Sequence, residues 1–194
     1  KKMVLDFVLS GIKSSRREWH QDFYLLPGYT NLDYLAVWVA VGDITEDMGP
    51  FEYYKASHKL PPFRRELVWK YMEPELRDIP RWPRISHDFV SSAYEEYAKY
   101  YNCEKVTYLP KKGDVLIWHN SLIHQGAKPK NKDLLRPATI GHYYSHETTI
   151  RRGRKVAYDE GYKEGLFVLR EDKEIHSVNY QKALELENKL KNNV

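Results

Sequence analysis

Short runs of strand length, each closed by a turn signal, recur from Met3 to Ser145 and confine this chain to a fold built mainly from paired strands. Met3 to Leu9 is apolar and β-prone and ends at Gly11, ahead of the polar stretch Lys13 to Glu18. A second strand begins near Trp19. Tyr34 to Val41 is an unbroken apolar run closed by Gly42-Asp43, the pattern of a strand buried on both faces. Phe51 to Tyr54 follows the turn cluster Thr45 to Pro50, and further strands are expected at Lys105 to Leu109, Asp114 to His119 and Ala138 to Ser145. Residues 59–101 break this rhythm. Pro61-Pro62 and Ile79 to Pro83 read as rigid extended punctuation, while Asp88 to Tyr101 has helical spacing, so the segment is expected to be a helical insertion that serves as a lid. A C-terminal amphipathic helix is expected within 175–194. The pattern as a whole predicts a mainly β sandwich or barrel with peripheral helices, forming one domain over residues 1–194.

Composition removes several functional classes. The chain has 194 residues, 42% hydrophobic and 30% charged, and no apolar run nears the roughly 18 to 20 residues that would span a bilayer. The net charge of +4 comes from short scattered basic groups such as Arg64-Arg65, which suits a solvated surface better than a nucleic-acid stripe. Cys103 is the only cysteine and cannot form an internal disulfide, so a reducing, cytoplasmic setting is expected.

Two constellations carry chemistry. In Glu18 to Phe23, an extended chain would put His20 and Asp22 on one face and Gln21 on the other, supplying an imidazole and a carboxylate together. In Lys112 to Gly126, a turn launches an apolar strand that presents His119 and His124, and His124 is favoured as a third ligand because Gly126 lets the backbone approach closely. His119 is left to the core or to a supporting role. Two histidines and one carboxylate form the ligand set expected of iron(II) oxygenases, with three positions left open. Beyond His124 stands Arg136, from which alternation puts Ala138, Ile140, His142 and Tyr144 on a common face. An arginine facing a barrel interior requires an anion.

With these residues in this order, the chain resembles the phytanoyl-CoA dioxygenase family of 2-oxoglutarate oxygenases from about Met3 to Ser145. The resemblance implies a double-stranded β-helix, the cupin-like jelly roll, with Fe(II) and 2-oxoglutarate as cofactors. His20, Asp22 and His124 fall on the family's metal positions and Arg136 on its 2-oxoglutarate carboxylate position, while Trp38 and Leu9 match pocket-wall positions. The implied partners are dioxygen and a small-molecule substrate, hydroxylated with release of succinate and carbon dioxide. Halogenases of this family carry a small residue where Asp22 stands, so Asp22 argues for hydroxylation.

The chain also departs from the family. The usual Pro-Gly-Ser-His reads Lys55-Ala-Ser-His58. Ala138 stands where relatives have a hydroxyl, a role that Thr139 or Tyr144 would have to fill. The helical region that family members carry ahead of the first strand is expected to be missing. A cupin-type isomerase or hydrolase, or a non-catalytic jelly-roll binding module, is the alternative.

Overall fold

The computed structural model describes residues 3–11, 17–25, 33–61, 63–77, 82–151, 155–159 and 165–169. Its elements run, in chain order, β1 (Met3–Gly11), β2 (Arg17–His20), α1 (Asp22–Leu25), β3 (Tyr34–Ala40), β4 (Phe51–Tyr54), α2 (Arg65–Tyr71), α3 (Pro74–Arg77) and α4 (Trp82–Tyr100). They continue with β5 (Lys105–Tyr108), β6 (Val115–His119), β7 (His124–Gly126), β8 (Ala138–Ser145), α5 (His146–Arg151), β9 (Lys155–Asp159) and β10 (Gly165–Leu169). The expected C-terminal helix lies outside the described residues. No described helix is long and apolar enough to cross a membrane.

The strands form two sheets, one in the order β6-β3-β8-β1-β10-β9 and the other in the order β2-β7-β4-β5. Strands 1, 8, 3 and 6 against 2, 7, 4 and 5 is the strand order of a double-stranded β-helix, the cupin-like jelly roll, in which the chain crosses repeatedly between facing sheets. The larger sheet is antiparallel from β6 to β1, and β10 then joins β1 in parallel.

Register defines what faces the interior. One inward row reads Leu9, Ile140, Trp38 and Leu116 across four strands, and the next reads Phe7, His142, Ala36 and Trp118. The bulge between Leu5 and Phe7 shifts β1 by one residue, so that Phe7 after it lies in the second of these rows and Val4 before it lies in the following one, with Tyr144 and Tyr34. Phe51 from the smaller sheet packs against Trp38 and Trp118, closing the core between the layers. β3 therefore alternates between buried and half-buried residues rather than being buried on both faces, because one side meets the core and nothing among the described residues covers the other completely.

The outer face of the smaller sheet is covered by α4, whose Val90, Tyr94 and Ala98 pack on Trp19, Tyr54 and Ile123. This helix starts six residues earlier than its sequence suggests. Pro83 sits in the first turn, where its missing N–H is needed by no partner and its fixed φ favours the helix. The strands β7, β9 and β10 carry no period strong enough to be expected from sequence.

The altered Lys55-Ala-Ser-His58 loop has a specific geometry. Ala56 adopts a left-handed conformation with φ 60° and ψ 5°, in the position where the family's usual motif has glycine. That turn lets the Ser57 hydroxyl accept the Ile123 N–H at 2.8 Å, pinning the chain next to His124. A β-carbon costs on the order of 1 kcal/mol in this conformation. Ala56→Gly is therefore expected to raise the unfolding free energy by roughly 0.5–1 kcal/mol, net of the entropy that glycine adds to the unfolded chain. An equal or lower stability on chemical denaturation would contradict this account of the loop.

Candidate metal centre

His20 and His124 are brought together by sheet pairing, since they are direct register partners between β2 and β7. Their rings lie 4.2 Å apart, centroid to centroid. Asp22 arrives differently from the expectation: β2 ends at His20, and Asp22 is the first residue of α1, so the two do not share an extended strand. Gln21 is fully buried, and its side-chain amide donates to the Ser121 carbonyl, while the Phe23 N–H donates to the Asn120 carbonyl at 3.1 Å. These two bonds flank Asp22 and tie the strand-to-helix corner to the loop before His124. The carboxylate is thereby turned towards both imidazoles.

The resulting arrangement is compact. Asp22 Oδ1 is 3.6 Å from His20 Nε2 and 3.8 Å from His124 Nε2, and one ligand atom from each of the three residues lies within 4.8 Å of the others. Each imidazole uses its other nitrogen on a backbone carbonyl: Nδ1 of His20 on Glu18 at 2.7 Å and Nδ1 of His124 on Leu122 at 2.9 Å. A carbonyl oxygen can only accept, so both Nδ1 atoms carry the proton and both Nε2 atoms present lone pairs. Three electron-pair donors thus face one another in a buried space. A cation between them relieves that opposition, and the set suits iron(II) in its mix of imidazole and carboxylate. Among the described residues this is the only such group.

Electrostatics follow the same logic. Burial opposes ionisation of Asp22, but in the acid range where the facing imidazoles take up protons their positive charge, His124 first, outweighs it and holds the carboxyl below its ordinary 3.8. For His124, burial and then neighbouring His20 push the value down to about 3 from 6.5, against the pull of Asp22. Trp118 completes the carboxylate's surroundings by donating its indole N–H to Asp22 Oδ2 at 3.1 Å, leaving Oδ1 for the histidines. The sequence gives no hint of this bond, which depends on the β3–β6 register.

The other expected site residues are distributed around this centre. Trp38 is buried and separated from His124 by Phe51, whose ring stacks on His124 at 5.1 Å and on Trp38 at 6.3 Å. Leu9 lies on the same inward row as Trp38 and is half exposed. Arg136 precedes β8 and donates from Nη1 to the Gly49 carbonyl at 2.8 Å. Its Nε is buried with no hydrogen-bond partner among the described residues, and burial lowers its pKa. Thr139 faces outward, its hydroxyl 3.4 Å from that of Ser10, while Tyr144 faces the core and packs edge-on against Tyr34. His119 stands apart from the centre, where its ring accepts the Ser121 N–H.

His87, from α4, packs edge-on to His20 at 5.5 Å, so the insertion reaches the back of the centre. Of its basic residues, Arg65 stacks over Trp82 and Tyr24. Arg81 and the side chain of Arg84 lie outside the described residues.

A profile described as phytanoyl-CoA dioxygenase (PhyH) matches residues 9–138, two thirds of the chain. Several solved structures are similar. The α-ketoglutarate-dependent epimerase SnoN from nogalamycin biosynthesis is 16% identical with a TM-score of 0.48, over 87% of this chain and 65% of that one. EctD from S. alaskensis, solved with 2-oxoglutarate and 5-hydroxyectoine, is 16% identical with a TM-score of 0.46, over 75% of this chain and 45% of that one. AviO1 from Streptomyces viridochromogenes Tue57 is 14% identical with a TM-score of 0.42, over 72% of this chain and 48% of that one. The chain thus spans between about half and two thirds of the length of these proteins. No curated protein matches it in sequence.

The depressed pKa of His124 has a measurable consequence. A base whose pKa is lower in the folded state contributes stability above its unfolded value and loses it as the pH falls. For metal-free protein, the denaturation midpoint is expected to fall as the pH drops from 6.5 towards 3, with Asp22 adding to the loss below 3.8. His124→Gln should flatten the curve between pH 6.5 and 3.8. An unchanged slope in that variant would place the acid sensitivity elsewhere.

Proposed function

The chain belongs to the phytanoyl-CoA dioxygenase family, and from that premise we propose that it is an iron(II)- and 2-oxoglutarate-dependent oxygenase that hydroxylates a small molecule. The observation that carries this reading is the opposition of His20 Nε2, His124 Nε2 and Asp22 Oδ1 across a buried gap, each imidazole having its Nδ1–H committed to a backbone carbonyl. Two imidazoles and one carboxylate on one side of a metal leave three positions for a chelating co-substrate and dioxygen.

The remaining residues take roles that fit this arrangement. Arg136 Nε, buried and unbonded, suits the distal carboxylate of 2-oxoglutarate, because a guanidinium fork anchored by Gly49 at one nitrogen still has a donor to give. Trp38 and Leu9, on one inward row, form the wall beside that co-substrate. Trp118 keeps Asp22 Oδ2 engaged, so that the carboxylate presents one oxygen rather than two. Phe51, Trp38 and Trp118 together exclude water from the gap. When bound, iron(II) and 2-oxoglutarate supply the oxidising chemistry, in which dioxygen is consumed, succinate and carbon dioxide are released and one oxygen atom passes to the substrate. Asp22 fills the position that a halide would need, which favours hydroxylation over halogenation.

Anaerobic addition of iron(II) and 2-oxoglutarate is expected to produce a weak visible metal-to-ligand charge-transfer band, which His124→Ala should abolish. Arg136→Gln should retain the band but require roughly 10- to 100-fold more 2-oxoglutarate, the cost of losing a charge-assisted hydrogen bond. Absence of the band in the parent chain would sink the oxygenase reading. Turnover of an ester or isomerisable sugar without 2-oxoglutarate would favour a cupin-type hydrolase or isomerase instead.

A further inference from the structure

Two side-chain nitrogens at β8 are buried with no hydrogen-bond partner among the described residues, Arg136 Nε and His142 Nε2. The proposed chemistry uses the first and leaves the second idle. His142 is 8% exposed, and its ring stacks flat on Phe7 at 4.1 Å and 17°. A phenylalanine here would stack equally well and leave no polar atom unpaired, so packing alone does not account for an imidazole.

The two nitrogens stand at opposite ends of one track. Arg136 lies two residues before β8, and the inward rows then follow in order along the strand. Ala138 and Ala40 come first, next Leu9, Ile140, Trp38 and Leu116, and then Phe7, His142, Ala36 and Trp118. Each row is two residues, or about 7 Å, beyond the last. The metal centre is level with the row that contains His142. Trp118 of that row donates to Asp22 Oδ2 at 3.1 Å, and its ring lies 5.4 Å from that of His124. Only Ala36 separates Trp118 from His142, which puts their strands about 10 Å apart. A 2-oxoglutarate held by Arg136 and running past Trp38 therefore reaches the metal beside His142.

The proton on the imidazole is also placed for this encounter. Nδ1 is hydrogen-bonded to the Tyr34 hydroxyl. A phenol is a stronger donor than an imidazole N–H, and an imidazole nitrogen is a stronger acceptor than a phenol oxygen, so Tyr34 donates to Nδ1 and the ring keeps its own proton on Nε2. Nε2 also lies at the edge of the ring farther from the backbone, and so deeper in the interior than Nδ1.

We propose that His142 is a 2-oxoglutarate-binding residue whose Nε2–H donates to the carboxylate next to the keto group, the end of the co-substrate that meets the metal. This inference rests on the reading of the chain as a 2-oxoglutarate-dependent oxygenase. A 2-oxo acid that chelates a metal through its keto oxygen and one carboxylate oxygen keeps the other carboxylate oxygen free, and that oxygen is a strong acceptor. The co-substrate then has a donor at each end, Arg136 at the distal carboxylate and His142 at the proximal one. Both come from one short segment, so the spacing of the two donors is set by a single strand.

Anaerobic titration of the full chain with iron(II) and 2-oxoglutarate, read at the charge-transfer band, measures the contact. His142→Phe is expected to need roughly 10- to 100-fold more 2-oxoglutarate, the cost of losing one charge-assisted hydrogen bond. Its affinity for iron(II) alone, read by competition with a coloured chelator, should stay within about twofold of the parent, whereas lost support behind a metal ligand would weaken it about 10- to 100-fold. His142→Gln, whose amide can donate near the place of Nε2, should bind 2-oxoglutarate nearly as the parent does. His142→Asn, whose amide falls near the place of Nδ1, should not. Infrared difference spectra with 2-oxoglutarate carrying carbon-13 in one carboxylate or the other locate the contact. His142→Phe should shift the stretch of the proximal carboxylate and spare the distal one, and Arg136→Gln should do the reverse. Unchanged 2-oxoglutarate affinity in His142→Phe, a shift confined to the distal carboxylate, rescue by asparagine in place of glutamine, or an equal loss of affinity for iron(II) alone would each overturn the proposal. Should His142→Phe fail to fold, the contrast between glutamine and asparagine at 142 decides the matter alone. No charge-transfer band in the parent chain would instead remove the oxygenase reading, and this inference with it.

Discussion

Three lone pairs directed at one point are the constraint around which this molecule is arranged. His20 and His124 each place a proton on the nitrogen that meets a backbone carbonyl, so that in their neutral forms they turn a lone pair, not a donor, towards Asp22. Left alone, such a cluster opposes folding, because the two Nε2 atoms and Asp22 Oδ1 are taken out of water without a donor in exchange, Trp118 satisfying only Oδ2. A divalent ion reverses the sign of the interaction. The depressed pKa values of Asp22 and His124 both favour the deprotonated form, the form in which a carboxylate or an imidazole can bind metal.

The jelly roll supplies the rigidity this needs. Register pairing fixes the two histidines on adjacent strands of the smaller sheet, and the larger sheet provides the facing wall of Trp38, Ala36, Trp118 and His142. Phe51 bridges the layers and also stacks on His124, so packing of the core and orientation of a ligand are one interaction. On the far side, α4 buries Trp19 and Ile123, the neighbours of His20 and His124 in sequence. The chain on either side of each histidine is thus held by an apolar contact pointing away from the centre.

Much of this was legible because it depends on period and residue type. β1, β3, β4, β6 and β8 follow alternation or strand-length apolar runs between turns, and their bounds agree closely with the structure. The grouping of the three candidate ligands was legible from chemistry, although the reason given for Asp22 was not the one the structure uses. An extended chain and a strand-to-helix corner both bring residues i and i+2 together here, and only the contacts of Gln21 and Phe23 distinguish them. What sequence could not reveal depends on register between distant strands. Trp118 looks like any core tryptophan until β6 is aligned with β3. His142 was correctly assigned to the inward face of β8, yet its partner Tyr34 lies more than a hundred residues away. β7 is three residues long and carries no period at all. The left-handed Ala56 is hidden because alanine ordinarily signals the opposite conformation.

The central claim is that His20, Asp22 and His124 close on a single iron(II). Anomalous diffraction at the iron edge, from crystals of the full chain grown anaerobically with iron(II), tests it most directly. The account predicts one strong peak bonded to His20 Nε2, His124 Nε2 and one oxygen of Asp22, with Asp22 Oδ2 still engaged by the Trp118 indole. Iron bound elsewhere, or no peak between the three side chains at saturating iron, would contradict it.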